Sequence, residues 1–420
     1  MLEPRILVVL PILFVLVLTS VIHGQPIRLE LWHGITAADY AGLESIIRAF
    51  NEAYAGKYEV VDTMAGWDAH YERLQVATAA GIAPDLTYVH RDRLLEMVNK
   101  NILRPLDDLW NEAGWTEEHF IPGIAKAMEV NGVRYAVPID VYSYLLFYNA
   151  DHLNESGIAE PPTDPHTFIE ASRKVLRQNG TEVVRWGTKA PNSIAYFFSY
   201  VWQNGGNYFV DDTYRQAALN TPEVLKALEF VYDMVFTHRI APPLPQQPWV
   251  FNDTATFTID GIWSLTVAQE ERASGMRNIQ VASADGLFGE VRKGIRVGSH
   301  TLAIPRRSAE DPERLEAAKT FIRFMSDNNI VWARHGQLPV RMDAITSEEF
   351  QNMTDHLAIA RQTMVYLPNP PYLSQTSSVV GTLLQQTLNP SRADFMAPTS
   401  ALLVAQEALQ NRINEYFANP

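Results

Sequence analysis

Between residues 27 and 99 the chain alternates strand-like and helix-like segments three times, and this order restricts the possible folds more than any other feature. Residues 27–32 alternate in polarity, as a half-buried strand does. Residues 40–54 then carry Leu43, Ile46, Ile47 and Phe50 at helical spacing, which makes one apolar stripe. A second strand is predicted over 58–63, a second helix over 70–80, a third strand over 86–89 behind Gly81 and Pro84, and a helix to about Asn99. Strands separated by helices of this length predict a parallel sheet covered on both faces. Such sheets bind ligands at the carboxyl ends of their strands, which directs attention to Trp32-His33-Gly34 and His90-Arg91-Asp92-Arg93.

Beyond Thr163 the pattern becomes mostly helical. Helices are predicted over 168–178 and 222–237, the latter opened by Thr221-Pro222-Glu223, where Asn220 or Thr221 can cap and proline fits the first turn. Residues 242–248 read as a proline-rich loop, 301–304 as a strand and 312–327 as an amphipathic helix. After Pro368, Pro370 and Pro371 the tail reads as helical to Tyr416. A chain of 420 residues suits two domains. With no internal repeat and no low-complexity linker between them, the chain is expected to cross from one domain to the other more than once.

The N-terminus indicates export. Arg5, an apolar run over 6–17, then Thr19, Ser20 and His23-Gly24-Gln25 follow the order of a secretory signal, with cleavage after Gly24. Residues 6–22 also meet the lower length limit for an uncleaved membrane anchor. On either reading the remainder lies outside the cytoplasmic membrane, periplasmic or at the cell surface. The absence of cysteine removes disulfides, thiolate metal sites, cysteine nucleophiles and a lipid-anchored cysteine together. A formal charge of -14 with no basic stripe excludes nucleic acid as a partner. No Gly-x-Ser-x-Gly, His-Glu-x-x-His or Gly-x-x-x-x-Gly-Lys motif occurs, and nothing singles out a catalytic carboxylate pair among 48 acidic residues. The expectation is therefore no catalytic residue, no metal, no cofactor and no enzymatic activity.

Several blocks stand in a fixed order along the chain: Leu31-Trp32-His33, Ala83-Pro84-Asp85-Leu86, Leu103-Arg104-Pro105-Leu106-Asp107-Asp108-Leu109, and Gly132-Val133-Arg134-Tyr135-Ala136-Val137-Pro138. Leu145-Leu146-Phe147-Tyr148-Asn149-Ala150-Asp151, Asn204-Gly205-Gly206, Ile259-Asp260-Gly261-Ile262-Trp263, Leu302-Ala303-Ile304-Pro305 and Leu338-Pro339-Val340-Arg341 complete the set. In this order the chain resembles the extracellular solute-binding family that includes maltose-binding protein and the glycerol-phosphate-binding proteins. The resemblance implies a two-lobed periplasmic-binding-protein fold of the second type, α/β, each lobe a mixed, mostly parallel sheet flanked by helices. It implies an N-lobe of residues 25–140 with 300–342 and a C-lobe of 143–297 with 345–420. Hinge crossings would fall near 141, 298 and 343, and the ligand would sit between lobes that close over it. It further implies a monomer that serves the transmembrane permease subunits of an ABC importer.

A sugar ring has C–H faces that aromatic rings cover and a hydroxyl rim that planar polar groups hold. The resemblance places Trp263 on a sugar face and the pair Asp92 and Arg93 on hydroxyls. It puts Val89 where a relative carries another tryptophan, so the sugar or its pose differs from maltose. Trp67, in the loop Gly66-Trp67-Asp68, stands where relatives present a ring. Tyr142 matches the position of a hydroxyl-binding carboxylate, with Asp140 two residues away; both lie near the first crossing, and Ser299 and His300 lie at the second. His33, Tyr196 and Tyr372 complete the ligand-binding candidates, whereas Trp32 reads as core and Arg341 as a salt-bridging residue. The alternative ligand is glycerol 3-phosphate or another phosphorylated polyol, with Arg93 or Arg341 as the phosphate cation. An extracellular glycan-active enzyme is the remaining alternative.

Overall fold

The computed structural model describes residues 25–245, 253–307 and 311–418; the predicted signal segment and part of the proline-rich loop lie outside these. Two main sheets organise the chain. Their strands are β1 (Ile27–His33), β2 (Tyr58–Met64), β3 (Leu86–His90), β4 (Val137–Pro138), β5 (Asp140–Asn149), β6 (Phe257–Gly261), β7 (Ile279–Ala282), β8 (Ile295–Gly298), β9 (His300–Ala303), β10 (Leu338–Pro339) and β11 (Met364–Tyr366).

The first sheet runs in the order β2-β1-β3-β9-β4. β1 pairs in parallel with β2 and β3, and β9 lies antiparallel to β3 and β4. Polarity alternation sets β1, since Leu29 and Leu31 are buried while Arg28 and Glu30 face solvent. The stripe Leu43, Ile46, Ile47 and Phe50 on helix Ala37–Ala53 enters the same core, as its spacing predicts. Helix Trp67–Ala79 begins earlier than expected, so Trp67 is its first residue and no longer part of a loop.

The second sheet is built around β5, which takes β10 at Asp140 and Val141, β8 at Tyr142 and Ser143, and β6 and β7 along the rest. All four of those pairings are antiparallel; only β8 with β11 is parallel. The mostly parallel arrangement expected for this lobe is thus corrected, because a single long strand serves several short returning segments instead of a series of helix crossovers. Side chains alternate across β5: Leu145 and Phe147 join the first core together with Ile262 and Leu265, and Tyr144 and Leu146 join the second. Helices supply much of the rest of the second core, including Phe168, Phe197, Leu228, Leu383 and Leu402, with Phe257 and Ile295 added from strands.

The helix expected over 168–178 is Pro165–Val175, opened by Asp164, whose carboxylate accepts from the Thr167 amide at 2.9 Å. A hairpin, Arg177–Asn179 with Glu182–Arg185, follows in place of the last helical turn. The loop between the strands is the two-residue turn Gly180-Thr181, with glycine at its first position, φ 63°, where a side chain would be strained. Thr221 caps helix Pro222–Phe236 by accepting from the Val224 amide.

The chain passes between the sheets where β5 begins. The Ile139 amide donates to the His300 carbonyl at 2.9 Å in the first sheet, and Tyr142 already pairs with β8 in the second. It returns at Ser299, the single residue between β8 and β9. A third passage lies between helix Met342–Ile345, packed on the turn Glu117–His119 of the first lobe, and helix Thr354–Ala360, packed on β7.

Asn329 holds this region together. Its amide donates to the Ile139 carbonyl at 2.6 Å, and its oxygen accepts from the Val340 and Arg341 amides at 2.8 and 3.0 Å. All of this is buried, so Asn329→Ala leaves three backbone groups without partners. The expected cost is about 2–4 kcal/mol, read as a lower urea midpoint with an unchanged slope; a loss below about 0.5 kcal/mol would remove the residue from this role.

Candidate functional site

A cavity of about 510 Å³ lies between the lobes, within the size range of small-molecule sites. The first lobe contributes Trp67 and Tyr71 from the opening turns of one helix, His90 from the end of β3, Asp92 and Arg93 from the turn after it, and Asp39. The second contributes Tyr142 and Tyr144 from β5, Arg296 from β8 and Trp263 from the turn after β6. The carboxyl ends of the parallel strands β2 and β3 lead to Trp67, His90, Asp92 and Arg93, whereas Tyr142, Tyr144 and His300 come from the amino ends of antiparallel strands, and Trp32, His33 and Gly34 do not line the cavity.

Arg296 links the lobes. It donates to the Asp92 carboxylate at 2.6 Å, and to the Tyr142 and Tyr144 hydroxyls at 3.3 Å each. Burial works against ionisation of both partners. Even so, the Arg296 charge holds Asp92 below the usual carboxylate range, and Tyr142, Tyr144 and Asp92 hold Arg296 above its ordinary value. Further bonds close the lobes: Arg91 donates to the Leu367 carbonyl at 3.1 Å, and the Ser374 hydroxyl donates to Glu96 at 2.9 Å.

Rings form a continuous lining. Trp67 lies 5.5 Å from His300 with the planes 12° apart, and 4.0 Å from His90. Tyr142 packs on His300 at 4.7 Å and Trp263 at 6.1 Å, and Trp263 meets Tyr144 edge-on at 5.6 Å. The two histidines are set differently. Burial, reinforced by His300, holds His90 neutral, and its Nδ1 shares a hydrogen bond with the Tyr71 hydroxyl at 2.7 Å. Burial opposes the charge on His300 too, but the Asp140 carboxylate at 2.7 Å outweighs it and raises the pKa.

Six of the eleven expected ligand-binding residues line the cavity: Trp67, Asp92, Arg93, Tyr142, Trp263 and His300. The other five do not. Asp140 stands behind His300 and accepts from its ring, its amide and the Trp332 indole, so it orients the histidine. Ser299 is buried at the passage with its hydroxyl on the His300 carbonyl. His33 is fully buried, its Nε2 on Asp62 and its Nδ1 on the Ile35 amide, so the turn after β1 consumes it. Tyr196 sits one layer out, packed on Tyr144 and bonded to Asp260 at 2.8 Å. Tyr372 belongs to the second core, against Phe209 and Tyr416, with its hydroxyl on the Tyr214 carbonyl. Arg341 pairs with Asp343 away from the cavity.

The wall also holds residues that the sequence reading passed over. Tyr144 repeats Tyr142 at strand spacing and Tyr71 repeats Trp67 at helical spacing, so both were findable by period. Asp39 and Arg296 carry no such signal. Asp39 is buried; one oxygen accepts from Gln337 at 2.7 Å, and the other has no hydrogen-bond partner among the described residues. The Nε of Arg296 is likewise buried and unpartnered.

A family model described as bacterial extracellular solute-binding protein matches residues 34–329. The chain belongs to this family. Among its relatives is the maltotriose-binding protein of Pyrococcus abyssi, 27% identical over 57% of this chain and 50% of that protein. Another is the arabinooligosaccharide-binding protein of Bacillus subtilis, 22% identical over 82% of each. The chain spans about half the length of most of the curated relatives it matches. Among solved structures, an ABC substrate-binding protein from Listeria monocytogenes in complex with cycloalternan superimposes with a TM-score of 0.80 at 18% identity, over 93% of this chain and 100% of that one. A maltose/maltodextrin-binding domain from Bdellovibrio bacteriovorus bound to maltotriose gives 0.78 at 18% identity, over 92% and 100%. At these identities the likeness establishes the two-lobed fold.

Burial pushes the Asp39 carboxyl up to about 7, with Asp140 adding to the shift and His300 and Gln337 opposing it. At pH below 3.8 folded and unfolded chains both carry the proton. As pH climbs towards 7 the unfolded chain ionises first, so stability falls through that window. Asp39→Asn removes the titration. It should gain over the wild type by about 2–4 kcal/mol above pH 7 and by nothing below pH 4. Melting temperatures of both proteins at pH 4, 6 and 8 check this; a constant difference across pH would refute it.

Proposed function

We propose that the chain is the capture component of an ABC importer, holding a mono- or oligosaccharide between its lobes and delivering it to a membrane permease. The observation that carries this reading is the wall itself, with indoles from opposite lobes (Trp67 and Trp263) around a buried ion pair and two tyrosine hydroxyls. Rings of this kind cover the C–H faces of a sugar. The unpartnered oxygen of Asp39 and Nε of Arg296 offer an acceptor and a donor for its hydroxyls. The names of the relatives agree: they bind maltotriose and arabino-oligosaccharides.

Charge balance favours a neutral sugar over a phosphorylated polyol. Arg296 is compensated by Asp92, Arg93 donates to Glu96 at 3.1 Å, and His300 is matched by Asp140. Asp39 adds a further acid. Among the described residues each of these cations already has a carboxylate, although Glu96 also serves Lys100 at 2.7 Å, and a phosphate would bring about two further negative charges to a wall that carries Asp39, Asp68 and Asp92. The ligand is released unchanged: Asp92 is committed to Arg296, and half of Asp39 to Gln337. The protein works as an exported monomer, secreted or held at the membrane by its N-terminal segment.

A thermal-shift screen with maltose, maltotriose, mannobiose, an arabino-oligosaccharide and glycerol 3-phosphate tests the reading. Neutral sugars should raise the midpoint with concentration, glycerol 3-phosphate should not, and chromatography should recover the sugar intact. Trp263→Ala should weaken the bound sugar at least thirtyfold, about 2 kcal/mol, with the unliganded melt little changed. No shift with any neutral sugar would overturn the proposal.

A further inference from the structure

Three rings of the cavity wall rest on glycines at strand ends. A Cβ on Gly34, just after β1, would lie 2.7 Å from Cε2 and Cε3 of Trp67. One on Gly298, the last residue of β8, would lie 2.5 Å from Cε2 of Tyr142, its partner across the β5–β8 ladder. One on Gly261, the last residue of β6, would overlap Cη2, Cζ3 and Cζ2 of the Trp263 ring. None of the three has a left-handed φ, so an alanine backbone fits each without strain. What alanine does not fit is the ring above it.

We propose that Gly34, Gly261 and Gly298 are positioning residues that set the depth, and so the selectivity, of the cavity by seating Trp67, Trp263 and Tyr142 flat on the backbone. Interatomic contact between carbon atoms settles near 3.5–4.0 Å, so each methyl moves its ring by about an ångström or more. Trp67 has His300 and His90 on its other sides, and Trp263 has Tyr142 and Tyr144. The open direction for a displaced ring is the cavity. Because rings from both lobes are seated in this way, a methyl on either side narrows the same space.

The binding readout rests on the carbohydrate reading above; the seating is also read without any sugar. Gly34→Ala is compared with wild type, alone and in a Trp67→Ala background. Titration calorimetry uses maltotriose, mannobiose and an arabino-oligosaccharide, carrying forward the tightest of the three. Gly34→Ala should weaken that sugar about tenfold or more, with no further loss in the Trp67→Ala background. Intrinsic fluorescence without sugar should differ between Gly34→Ala and wild type, and this difference should vanish when Trp67 is absent. Unchanged affinity, or an equal loss in both backgrounds, overturns the inference. If wild type binds no sugar, the carbohydrate reading fails and the fluorescence pair alone decides the seating: a difference that depends on Trp67 supports it, and any other result overturns it. If Gly34→Ala does not fold, the double variant decides. Folding restored by Trp67→Ala supports the clash, and failure of both refutes it.

Discussion

Arg296 and Asp92 are 204 positions apart in the chain and 2.6 Å apart in the fold, and the cavity exists in its present form because of that contact. A buried ion pair is costly to desolvate and is retained only with close geometry and further hydrogen bonds. Both conditions hold here, since Tyr142 and Tyr144 give Arg296 two more acceptors from the strand that carries the chain between the lobes. The pair therefore does two things at once. It neutralises the middle of the site, which suits an uncharged guest, and it ties the turn after β3 to β8 across the cleft. Closure of such lobes is a population shift, and these contacts contribute to the closed form alongside anything a ligand adds.

A polar layer behind the wall fixes the side chains that a guest would meet. Asp140 accepts from the His300 ring and amide and from Trp332, so the histidine has one orientation and an elevated pKa. Gln337 holds one oxygen of Asp39, and Asn329 binds the start of β5 to the segment after β10. Asp140 lies before Ser299 and holds groups that follow it, whereas Gln337 and Asn329 lie after Ser299 and reach back to Asp39 and Ile139. The three passages of the chain are thus what lets the rear of the cavity be built from remote segments.

Much of the first lobe was readable from periodicity, because each strand and helix there buries one face and the burial pattern is printed in the order of residues. Leu43, Ile46, Ile47 and Phe50 are an example, and so is the alternation in β1. The second lobe was less readable. β5 is buried on both faces, so it carries no alternation, and its neighbours return to it from four separate stretches of chain. The hairpin turn at Gly180-Thr181 ends the helical pattern locally, through a glycine at positive φ.

For the site, residue order specifies the kinds of group available. Trp67, Asp92, Arg93 and Trp263 are the positions that the family resemblance implies, and all four line the cavity. Which of the other candidates face the gap depends on how the lobes come together. His33 and Tyr372 have suitable chemistry, but local hydrogen bonds and packing bury them elsewhere. Arg296 and Asp39 have no distinguishing neighbours in the chain, yet burial gives one its ion pair and the other its raised pKa. The physical reason is that polarity patterns report on local burial, whereas desolvation and charge pairing depend on distances that appear only when the lobes meet.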